Sequence, residues 1–413
     1  MHRLVVIGSL TENVQLVRKA KARGYYTIVC DGYKNGPAKK EADKSYDIDV
    51  RDTDAIASMC REEKADGIIG SFSDLILEQI TRIAARAGLK WYLKPEQIPQ
   101  YREKNVAKDI LRKLDVRTPD YVLLSGNFRD EELDGLRYPL VVKPVNGWGS
   151  KGIFVAHSIE DIRNGFEEAA SRQTMNELEA EEYSRGREYN MMTWVIDGQV
   201  HVISIADREK NPQEGDRIPL LNRIVYPARD IRKVCGEATE VLRKFISVTG
   251  QKNGALCMQF FYNEGGVEVC EIAGRLFGYE HEMVTICSGF DIEDMLLNYV
   301  YDENALEKMF CGHTPCFTKC CEGIYFVGKQ GRTIKDQRVA DELAEDPHVL
   351  EAIKYYRDGE KIDNYGPNPY LVRYYIAAES RQELDRIAAE FFEKMYIEDT
   401  EGENCCERFW LEQ

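Results

Sequence analysis

The order in which strand and helix patterns follow one another constrains the fold of this chain more than any other feature of its sequence. Over residues 1–98, short apolar runs such as RLVVIG and DGIIGSFSD alternate with helical segments such as TENVQLVRKAKARG. Strands that are joined through helices pair in parallel, because the helix carries the chain back along the sheet. This alternation predicts a doubly wound parallel α/β domain.

The pattern changes beyond residue 98. A proline-flanked linker and a basic helix, within KPEQIPQYREKNVAKDILRKLDVRTP, lead into residues 138–290, which are mainly antiparallel strands with two helices. We therefore expect three domains. They are an N-terminal α/β domain, a central region of antiparallel sheets with helices, and a C-terminal α+β lobe, over residues 1–98, 99–310 and 311–413.

Charge and hydropathy narrow the class of protein. The 413 residues carry a net charge of −16, which argues against a general nucleic-acid binder but allows a local cationic pocket. No apolar run approaches the roughly 18 residues of a membrane helix, and the N-terminal run is too short for a secretory signal. We expect a cytoplasmic protein that binds neither nucleic acid nor membrane.

The cysteines do not suggest a disulfide framework, because they are scattered through a long chain or gathered in one late cluster. In that cluster, CGHTPCFTKCC, zinc could be bound by Cys311, His313, Cys316 and Cys320. The spacing lacks a paired C-x2-C knuckle. Partly buried thiols are the preferred interpretation, and zinc is the alternative.

A lysine and several glycines mark the segment YPLVVKPVNGWGSKGIFVA, residues 138–156. Lys143 lies in an apolar strand, and a glycine-rich loop joins that strand to the next. Glycines let backbone N–H groups approach an anion closely. The loop is either a flap that covers phosphates, with Lys143 on the phosphates, or a polar hairpin with an exposed lysine.

Acidic residues flank a turn in EAEEYSRGREYNMMTWVIDGQV. An adenine needs backbone polar groups beside apolar cover, and a ribose needs a carboxylate that accepts hydrogen bonds from its hydroxyl groups. Glu181 and Glu188 could flank such a slot. The alternative is a surface hairpin with solvated acids.

Paired strands in GALCMQFFYNEGGVEVCEIAGRLFG are joined by an Asn-Glu-Gly-Gly turn. Gln259 lies on the first strand and Glu271 on the second, and buried polar groups need partners. Magnesium takes oxygen ligands from carboxylates and amides, and Arg275 can hold a carboxylate or phosphate bidentately. The alternative is a hairpin with a Glu–Arg salt bridge.

Together, a strand lysine with a glycine flap, an E-E-Y-x-x-G-x-E segment, and Gln and Glu on paired strands with a trailing Arg resemble the ATP-grasp superfamily. The resemblance covers nearly the whole chain and implies the ATP-grasp fold. It places Lys104 and Lys143 on the phosphates of ATP and Gly149 and Ser150 in the flap. The adenine and ribose contacts that it implies come from Glu181, the backbone of Glu182 and Tyr183, and Glu188.

The two predicted metal ligands, Gln259 and Glu271, are similar to those of the carbamoyl-phosphate synthase large chain. The motif of that enzyme continues E-x-N-P-R. This chain has EIAGR, so Ala273 replaces an asparagine ligand. The resemblance implies that Gln259 and Glu271 bind Mg²⁺, with Mn²⁺ as an alternative ion. Water or another carboxylate must complete the shell, and Glu268 and Glu282 are the candidates.

The C-terminal segments GIYFVGKQGRTI and YYIAAESRQELDRIAAEFFEKMYI resemble the last lobe of L-amino acid ligases and related carboxylate–amine ligases. The implied activity is ADP-forming ligation of a small carboxylate, such as an amino acid, to an amine through an acyl phosphate. Arg275 and Lys143 would be the catalytic residues.

Substrate contacts are expected between residues 205 and 227 and just after Arg275. The candidates are Arg208, Arg223, Tyr279 and His281, and their alternative is loop solvation or a structural salt bridge. Two other functions stay open: a carboxylate–thiol ligase or acyl-phosphate-forming enzyme, and a catalytically weak ATP-binding regulatory protein, which Ala273 favours. A homodimer through the first domain is one option for assembly.

Overall fold

A computed structural model gives the structure of residues 1–70, 72–145, 152–171, 177–211, 218–278, 280–363 and 370–408. The N-terminal part alternates strands and helices as the sequence predicts. In chain order, its elements are β1 (Arg3–Ile7), α1 (Val14–Ala22), β2 (Tyr26–Cys30), α2 (Pro37–Glu41), β3 (Lys44–Tyr46), α3 (Thr53–Glu62), β4 (Gly67–Ile69) and α4 (Asp74–Ala87).

The N-terminal strands form a parallel sheet in the order β3-β2-β1-β4. The central strand β1 is apolar throughout because it is covered on both faces. Leu4 and Val6 belong to one apolar core, and Val5 and Ile7 belong to another on the opposite side. The predicted doubly wound α/β domain is therefore confirmed.

A second, antiparallel sheet has the strand order β5-β8-β6-β7. One of its faces packs through Val142 and Ala180 against helix α7, and the other carries Lys143 opposite Glu179. The elements of this part are α5 (Ile98–Arg102), α6 (Lys104–Lys113), β5 (Tyr121–Ser125), β6 (Leu140–Pro144), β7 (Phe154–Ala156), α7 (Ile159–Ala170) and β8 (Glu177–Glu182).

The largest sheet has eight strands in the order β13-β12-β9-β10-β11-β14-β17-β16, and all of its pairs are antiparallel. Its elements, and those beside it, are β9 (Arg187–Ile196), β10 (Gln199–Lys210), β11 (Leu221–Tyr226), α8 (Ile231–Thr249), β12 (Gly254–Asn263), β13 (Gly266–Ala273), α9 (His281–Ser288), α10 (Ile292–Tyr301), α11 (Glu303–Phe310), β14 (Cys320–Val327), β15 (Ile334–Asp336), α12 (Arg338–Ala344), β16 (Val349–Lys354), β17 (Tyr370–Ala378), α13 (Arg381–Lys394) and β18 (Glu398–Asp399).

The large sheet runs through the predicted boundary at residue 310, since β11 pairs with β14. The domain limits at residues 98 and 310 stay predictions. In the part of the chain that the structure describes, no helix combines the length and apolar character needed to cross a membrane.

Gly254, the first residue of β12, fixes how the N-terminal domain meets the large sheet. Its φ of +101° lies in the left-handed region, and a β carbon there would lie 2.0 Å from Cγ of Tyr92. The Tyr92 hydroxyl donates a hydrogen bond of 2.9 Å to the carbonyl oxygen of Gly274. Gly274 precedes Arg275, so this contact supports the segment that carries the predicted catalytic arginine.

We expect Gly254→Ala to lower the free energy of unfolding by roughly 3 kcal/mol or more, because overpacking adds to backbone strain. Gly88→Ala is the matched control. Gly88 also has a positive φ, of +71°, but nothing lies within 4 Å of the added carbon, so only about 1 kcal/mol should be lost. Urea unfolding measures both, and equal losses would contradict the role of Tyr92.

Candidate active site

A cleft lies between helix α6 and strand β13. Lys104 and Lys108 line it from the first turns of α6, and Glu271 lines it from β13. Two sequence predictions, Lys104 as a phosphate ligand and Glu271 as a metal ligand, therefore face the same space. The charge of Lys104 also acts on the Glu179 carboxylate.

Four buried charged side chains, which we call the Lys–Glu cluster, lie beside this cleft: Lys108, Lys143, Glu179 and Glu181. Lys143 Nζ lies 2.5 Å from Glu181 Oε1 and 3.2 Å from Glu179 Oε1. Lys108 Nζ lies 2.5 Å from Glu179 Oε1 and also contacts Glu181. Each side chain is at most 7% exposed, so the charges are compensated almost entirely by one another.

Burial and charge act in opposite directions within the Lys–Glu cluster. Burial alone would raise the pKa of Glu179, but the charges of Lys143 and Lys108 outweigh it and hold that pKa at about 2. Burial would lower the pKa of Lys143, but Glu181 and Glu179 raise it above its ordinary value. Glu179 and Lys143 are therefore both charged at neutral pH.

The sequence analysis identified Lys143 and Glu181 but missed Lys108 and Glu179. The signal for both was present in the spacing. Lys108 lies four residues after Lys104, one turn along the same helix face. Glu179 lies two residues before Glu181, on the same side of a strand.

Glu182 is the last residue of strand β8, and Tyr183 follows it. Arg137 binds the Glu182 carboxylate, with Nη2 at 2.6 Å from Oε2. The backbone N–H of Tyr183 donates to the carbonyl oxygen of Pro139 at 3.1 Å. Their backbone contacts to adenine stay a prediction. Gly149 and Ser150, predicted for the flap, lie outside the described residues.

One face of the large sheet, which we call the polar face, carries Glu188, Asn190, Arg208, Gln259 and Glu271. Glu188 accepts hydrogen bonds from Arg208 Nε at 2.7 Å and from Gln259 Nε2, and it pairs with Lys210 Nζ at 2.5 Å. Burial would raise the pKa of Glu188, but Lys210 and Arg208 lower it. The predicted ribose carboxylate is thus charged and flanked by cations, of which Lys210 was missed.

The predicted metal ligands Gln259 and Glu271 lie directly opposite each other on paired strands, where β carbons are about 5 Å apart. Gln259 donates its amide N–H to Glu188, which leaves its amide oxygen as an acceptor. The Glu271 carboxylate forms no hydrogen bond or ion pair with any described residue, although Arg275 acts on it electrostatically. An amide oxygen and a carboxylate with open acceptor positions fit a magnesium ion.

Arg275 pairs with Asp74 at the start of α4. It does not form the salt bridge with Glu271 that was the alternative interpretation of this hairpin. Its Nε and Nη2 atoms each lie 3.0 Å from one carboxylate oxygen of Asp74. The two side chains are 16% and 19% exposed. The fork-to-fork contact shows that the guanidinium is presented in the orientation that grips a carboxylate.

Arg223 is not brought to the polar face. It pairs across strands with Glu209, on the side opposite Arg208, because neighbouring strand residues point to opposite faces. Its guanidinium is 1% exposed and contacts Glu322, Glu209 at 3.1 Å and Asp385 at 2.7 Å. This network ties α13 to the sheet. Arg223 therefore forms structural salt bridges, which was the alternative to a substrate contact.

His281 begins helix α9 and is 1% exposed. Its ring stacks on Phe72 with centroids 4.4 Å apart, and Nε2 lies 3.1 Å from Glu293 Oε1. Burial would lower its pKa, but Glu282 and Glu293 raise the pKa to about 9. His281 is therefore held as a cation between Phe72 and Glu293. Tyr279 lies outside the described residues.

The late cysteine cluster offers no assembled metal site within the described ranges. His313 Nε2 lies 2.8 Å from the carbonyl oxygen of Ile203, and Cys311 is exposed.

Sequence comparison finds relatives at low identity, and no family model matches the chain. A formate-dependent phosphoribosylglycinamide formyltransferase from Sulfurovum sp. (strain NBC37-1) is 26% identical over 190 residues, which are 44% of this chain and 47% of that protein. A phosphoribosylamine–glycine ligase from Lactococcus lactis subsp. lactis (strain IL1403) is 25% identical over 314 residues, 72% of each chain. The match to the first relative thus spans about half of its length.

Structure comparison extends over nearly the whole chain. An L-amino acid ligase from Bacillus licheniformis superposes with a TM-score of 0.80 at 19% identity, covering 96% of this chain and 98% of that one. The chain has the ATP-grasp fold. The comparisons confirm the resemblance to the ATP-grasp superfamily that the motifs indicated.

The Lys–Glu cluster should make stability depend on acid pH through Glu179. Its pKa is lowered from an ordinary 4.5 to about 2, so its contribution is complete above pH 4.5 and is lost as the pH falls through 2. We expect Glu179→Gln to cost roughly 3 kcal/mol at pH 7. The difference from the native chain should shrink as the pH is lowered below 4.5.

Urea unfolding between pH 7 and pH 3 measures this difference. Glu182→Gln is the control on the same strand, because its partner Arg137 is 85% exposed and an exposed pair contributes less than about 1 kcal/mol. A Glu179→Gln variant as stable as the control would contradict the buried cluster.

Arg223→Lys should affect stability without affecting nucleotide binding. The lysine keeps the charge but loses the planar fork that reaches three carboxylates, so we expect a loss of about 2 kcal/mol. Urea unfolding and calorimetric titration with Mg·ADP measure the two effects. Weaker ADP binding by the folded variant would show that Arg223 acts on the polar face after all.

Proposed function

We propose that the protein is an ATP-dependent, ADP-forming ligase that joins a small carboxylate to an amine through an acyl phosphate. The observation that carries this proposal is the pairing of Gln259 with Glu271 on the polar face, where the charge of Arg275 acts on Glu271 and Lys104 lines the same cleft as Glu271. This arrangement lies in the ATP-grasp fold. Two proteins similar to the chain, in sequence or structure, are named as ligases that act on glycine or L-amino acids.

The nucleotide would lie between the second sheet and the large sheet. Lys104 and Lys143 would bind its phosphates, and Glu188 would accept hydrogen bonds from the ribose hydroxyl groups. Glu181 and the backbone of Glu182 and Tyr183 would contact the adenine. Because Lys143 already pairs with Glu181, an incoming phosphate must share this lysine with a carboxylate.

Gln259 and Glu271 would hold the magnesium ion that accompanies ATP. When bound, that ion neutralises negative charge on the phosphates during transfer. The two residues belong to paired strands, so their spacing is fixed by backbone hydrogen bonds and does not depend on a loop.

The reaction has two steps. A carboxylate oxygen of the first substrate attacks the γ-phosphorus of ATP, which forms an acyl phosphate and releases ADP as the β–γ bridging bond breaks. The amine of the second substrate then attacks the acyl carbon, loses a proton and expels inorganic phosphate, so that an amide remains. Lys143 would stabilise the transferred phosphoryl group by its charge.

Arg275 would hold the substrate carboxylate and then the acyl phosphate oxygens. Its guanidinium already binds one carboxylate bidentately, that of Asp74, so it has both the orientation and the support that such a role needs. Arg208 would bind a substrate anion next to Glu188, and His281 and Tyr279 would contribute further substrate contacts.

A homodimer through the first domain and the use of free amino acids as substrates belong to this proposal as well. The two alternatives differ from it in their products. A carboxylate–thiol ligase would form a thioester instead of an amide. A regulatory protein would bind ATP without consuming it, and the complete set of Lys104, Lys143, Gln259, Glu271 and Arg275 favours turnover over that function.

The direct test measures ADP and phosphate release from Mg·ATP in the presence of pools of amino acids and small carboxylates. With the carboxylate labelled in its oxygens with ¹⁸O, one labelled oxygen should appear in the released phosphate, because the acyl phosphate passes it on. We expect Arg275→Lys to lower kcat/KM by roughly 100- to 1000-fold, since the bidentate contact is lost.

Arg338→Lys is the control, because Arg338 is 83% exposed and its ion pair among the described residues is with Asp336. Phosphate release without the label would exclude the acyl phosphate. ATP binding without stimulation by any pool would favour the regulatory alternative, and a thioester product would favour the thiol ligase.

A further inference from the structure

The proposed function gives no role to Glu280, a buried carboxylate in the segment that follows Arg275. Glu280 is 4% exposed. Its Oε1 atom accepts a hydrogen bond from Asn190 Nδ2 at 2.6 Å, and its Oε2 atom accepts one from the Tyr226 hydroxyl at 2.6 Å. Both donors are neutral, so neither of them compensates the negative charge of the carboxylate.

No cation among the described residues forms an ion pair with Glu280. Arg208 and Arg275 influence it electrostatically. Their own carboxylate partners within the described ranges are Glu188 and Asp74, in that order. Removing a carboxylate from water without a cationic partner costs free energy. The surroundings of Glu280 therefore favour the approach of a positively charged group.

The amide of Asn190 provides a second, independent observation. Asn190 is 1% exposed, and its Oδ1 atom has no hydrogen-bond partner among the described residues. Its Nδ2 atom, on the same amide group, is the donor to Glu280. A buried amide oxygen without a donor also costs free energy. A group with several N–H bonds and a positive charge would satisfy both side chains.

The strand register places Glu280 over strand β10. This strand lies between β9, which carries Asn190, and β11, which carries Tyr226. The residue of β10 opposite Asn190 is Ala206, whose methyl group takes up little of the space above the strand. Two residues further along β10, on the same face, Arg208 is 21% exposed. The polar face therefore opens to solvent beside Glu280.

This position is separate from the predicted metal ligands. Gln259 lies opposite Asn190 on β12, so two strand spacings, about 10 Å in all, separate it from β10. Glu271 lies one strand further away. In the proposed reaction the transferred phosphoryl group lies at the metal ion and the acyl carbon lies beyond it. The attacking amine belongs beyond both, and the separation of Glu280 from Gln259 leaves room for this order.

We propose that Glu280 and the Oδ1 atom of Asn190 bind the ammonium group of the second substrate, the amine that attacks the acyl phosphate. An ammonium group fits both acceptors, because it donates up to three hydrogen bonds and carries the charge that Glu280 lacks nearby. The substrate class is an alkylamine that is protonated in neutral solution, such as an amino acid. The inference rests on the proposed function for the identity of this group as a substrate.

The first experiment measures binding of ¹³C-labelled methylammonium to the full chain with saturating Mg·ADP, from the NMR line width of this probe. We expect Glu280→Gln, which keeps the shape of the side chain but loses its charge, to weaken binding about tenfold or more. Native affinity in this variant, or no binding to the native chain, would overturn the proposal.

Glu322→Gln is the matched control. Glu322 is also a fully buried carboxylate, but it is bound by Arg223 on the opposite face of the sheet. Because the two sites share no partner, this variant should change the affinity for methylammonium by less than about twofold. An equal loss of affinity in both variants would show that any buried charge has this effect and would overturn the proposal.

Asn190→Leu is a second variant, in which Glu280 itself is unchanged. It removes the open oxygen and the donor to Oε1, while Tyr226 still binds Oε2. We expect it to weaken methylammonium binding about threefold or more. If Glu280→Gln does not fold, native affinity in Asn190→Leu overturns the proposal and a loss of the expected size supports it.

A turnover experiment compares amide formation with hydroxamate formation from the same carboxylate pool. Hydroxylamine also attacks acyl phosphates, but it is largely uncharged at neutral pH and does not need an ammonium site. In Glu280→Gln, kcat/KM for the amine should fall about 100-fold, while hydroxamate formation should change by less than about threefold. Equal losses in both reactions would show that Glu280 acts on an earlier step or on the fold, and would overturn the proposal.

Failure of this inference can be told apart from failure of the proposed function, because methylammonium binding is read without turnover. If no substrate pool stimulates ADP release but Glu280→Gln weakens methylammonium binding, the ligase fails and the ammonium site stands. If turnover is intact but the substitution leaves methylammonium binding unchanged, the ligase stands and the role of Glu280 fails.

Discussion

The pairing register of the large sheet sets the positions of four groups in the proposed site: Glu188, Arg208, Gln259 and Glu271. Side chains alternate between its faces, so a slip of one residue between β12 and β13 would separate Gln259 from Glu271 and turn one of them into the core. Apolar contacts on the other face hold the register. Tyr189 stacks on Phe260 with ring centroids 5.2 Å apart, and both rings are buried. Packing on one face thus positions the chemistry on the other.

Buried charges are the second constraint, because three of the cations that we assign to the substrates already have a carboxylate partner. Lys143 pairs with Glu181, Arg208 with Glu188 and Arg275 with Asp74. The partners keep these cations charged and oriented within a site of low exposure. An anionic group of a substrate then shares the cation with its carboxylate partner or replaces that partner. It does not have to order a side chain that was free in solvent.

Local patterns predicted the residues whose place is fixed by one element or one hairpin. The N-terminal α/β domain followed from the alternation of its segments, and Gln259 and Glu271 followed from a hairpin with a recognisable turn. Lys108 and Glu179 were missed, although their spacing from Lys104 and Glu181 was informative. The contacts of the buried Glu280 with Asn190 and Tyr226 join segments far apart in the chain, and no local pattern records such contacts.

The sequence by itself determined the fold class, the order of the motifs and the chemical character of the proposed site, because these depend on local periodicity and on which residue types are present. Only the tertiary structure decided which charged residues meet. Arg208 and Arg223 look alike in the sequence, but the strand alternation places Arg208 beside Glu188 and buries Arg223 beside Glu322 on the opposite face. The partner of Arg275 was decided in the same way, since Asp74 reaches it from helix α4, which is distant in the chain. Contacts between distant segments depend on how the sheets and helices pack.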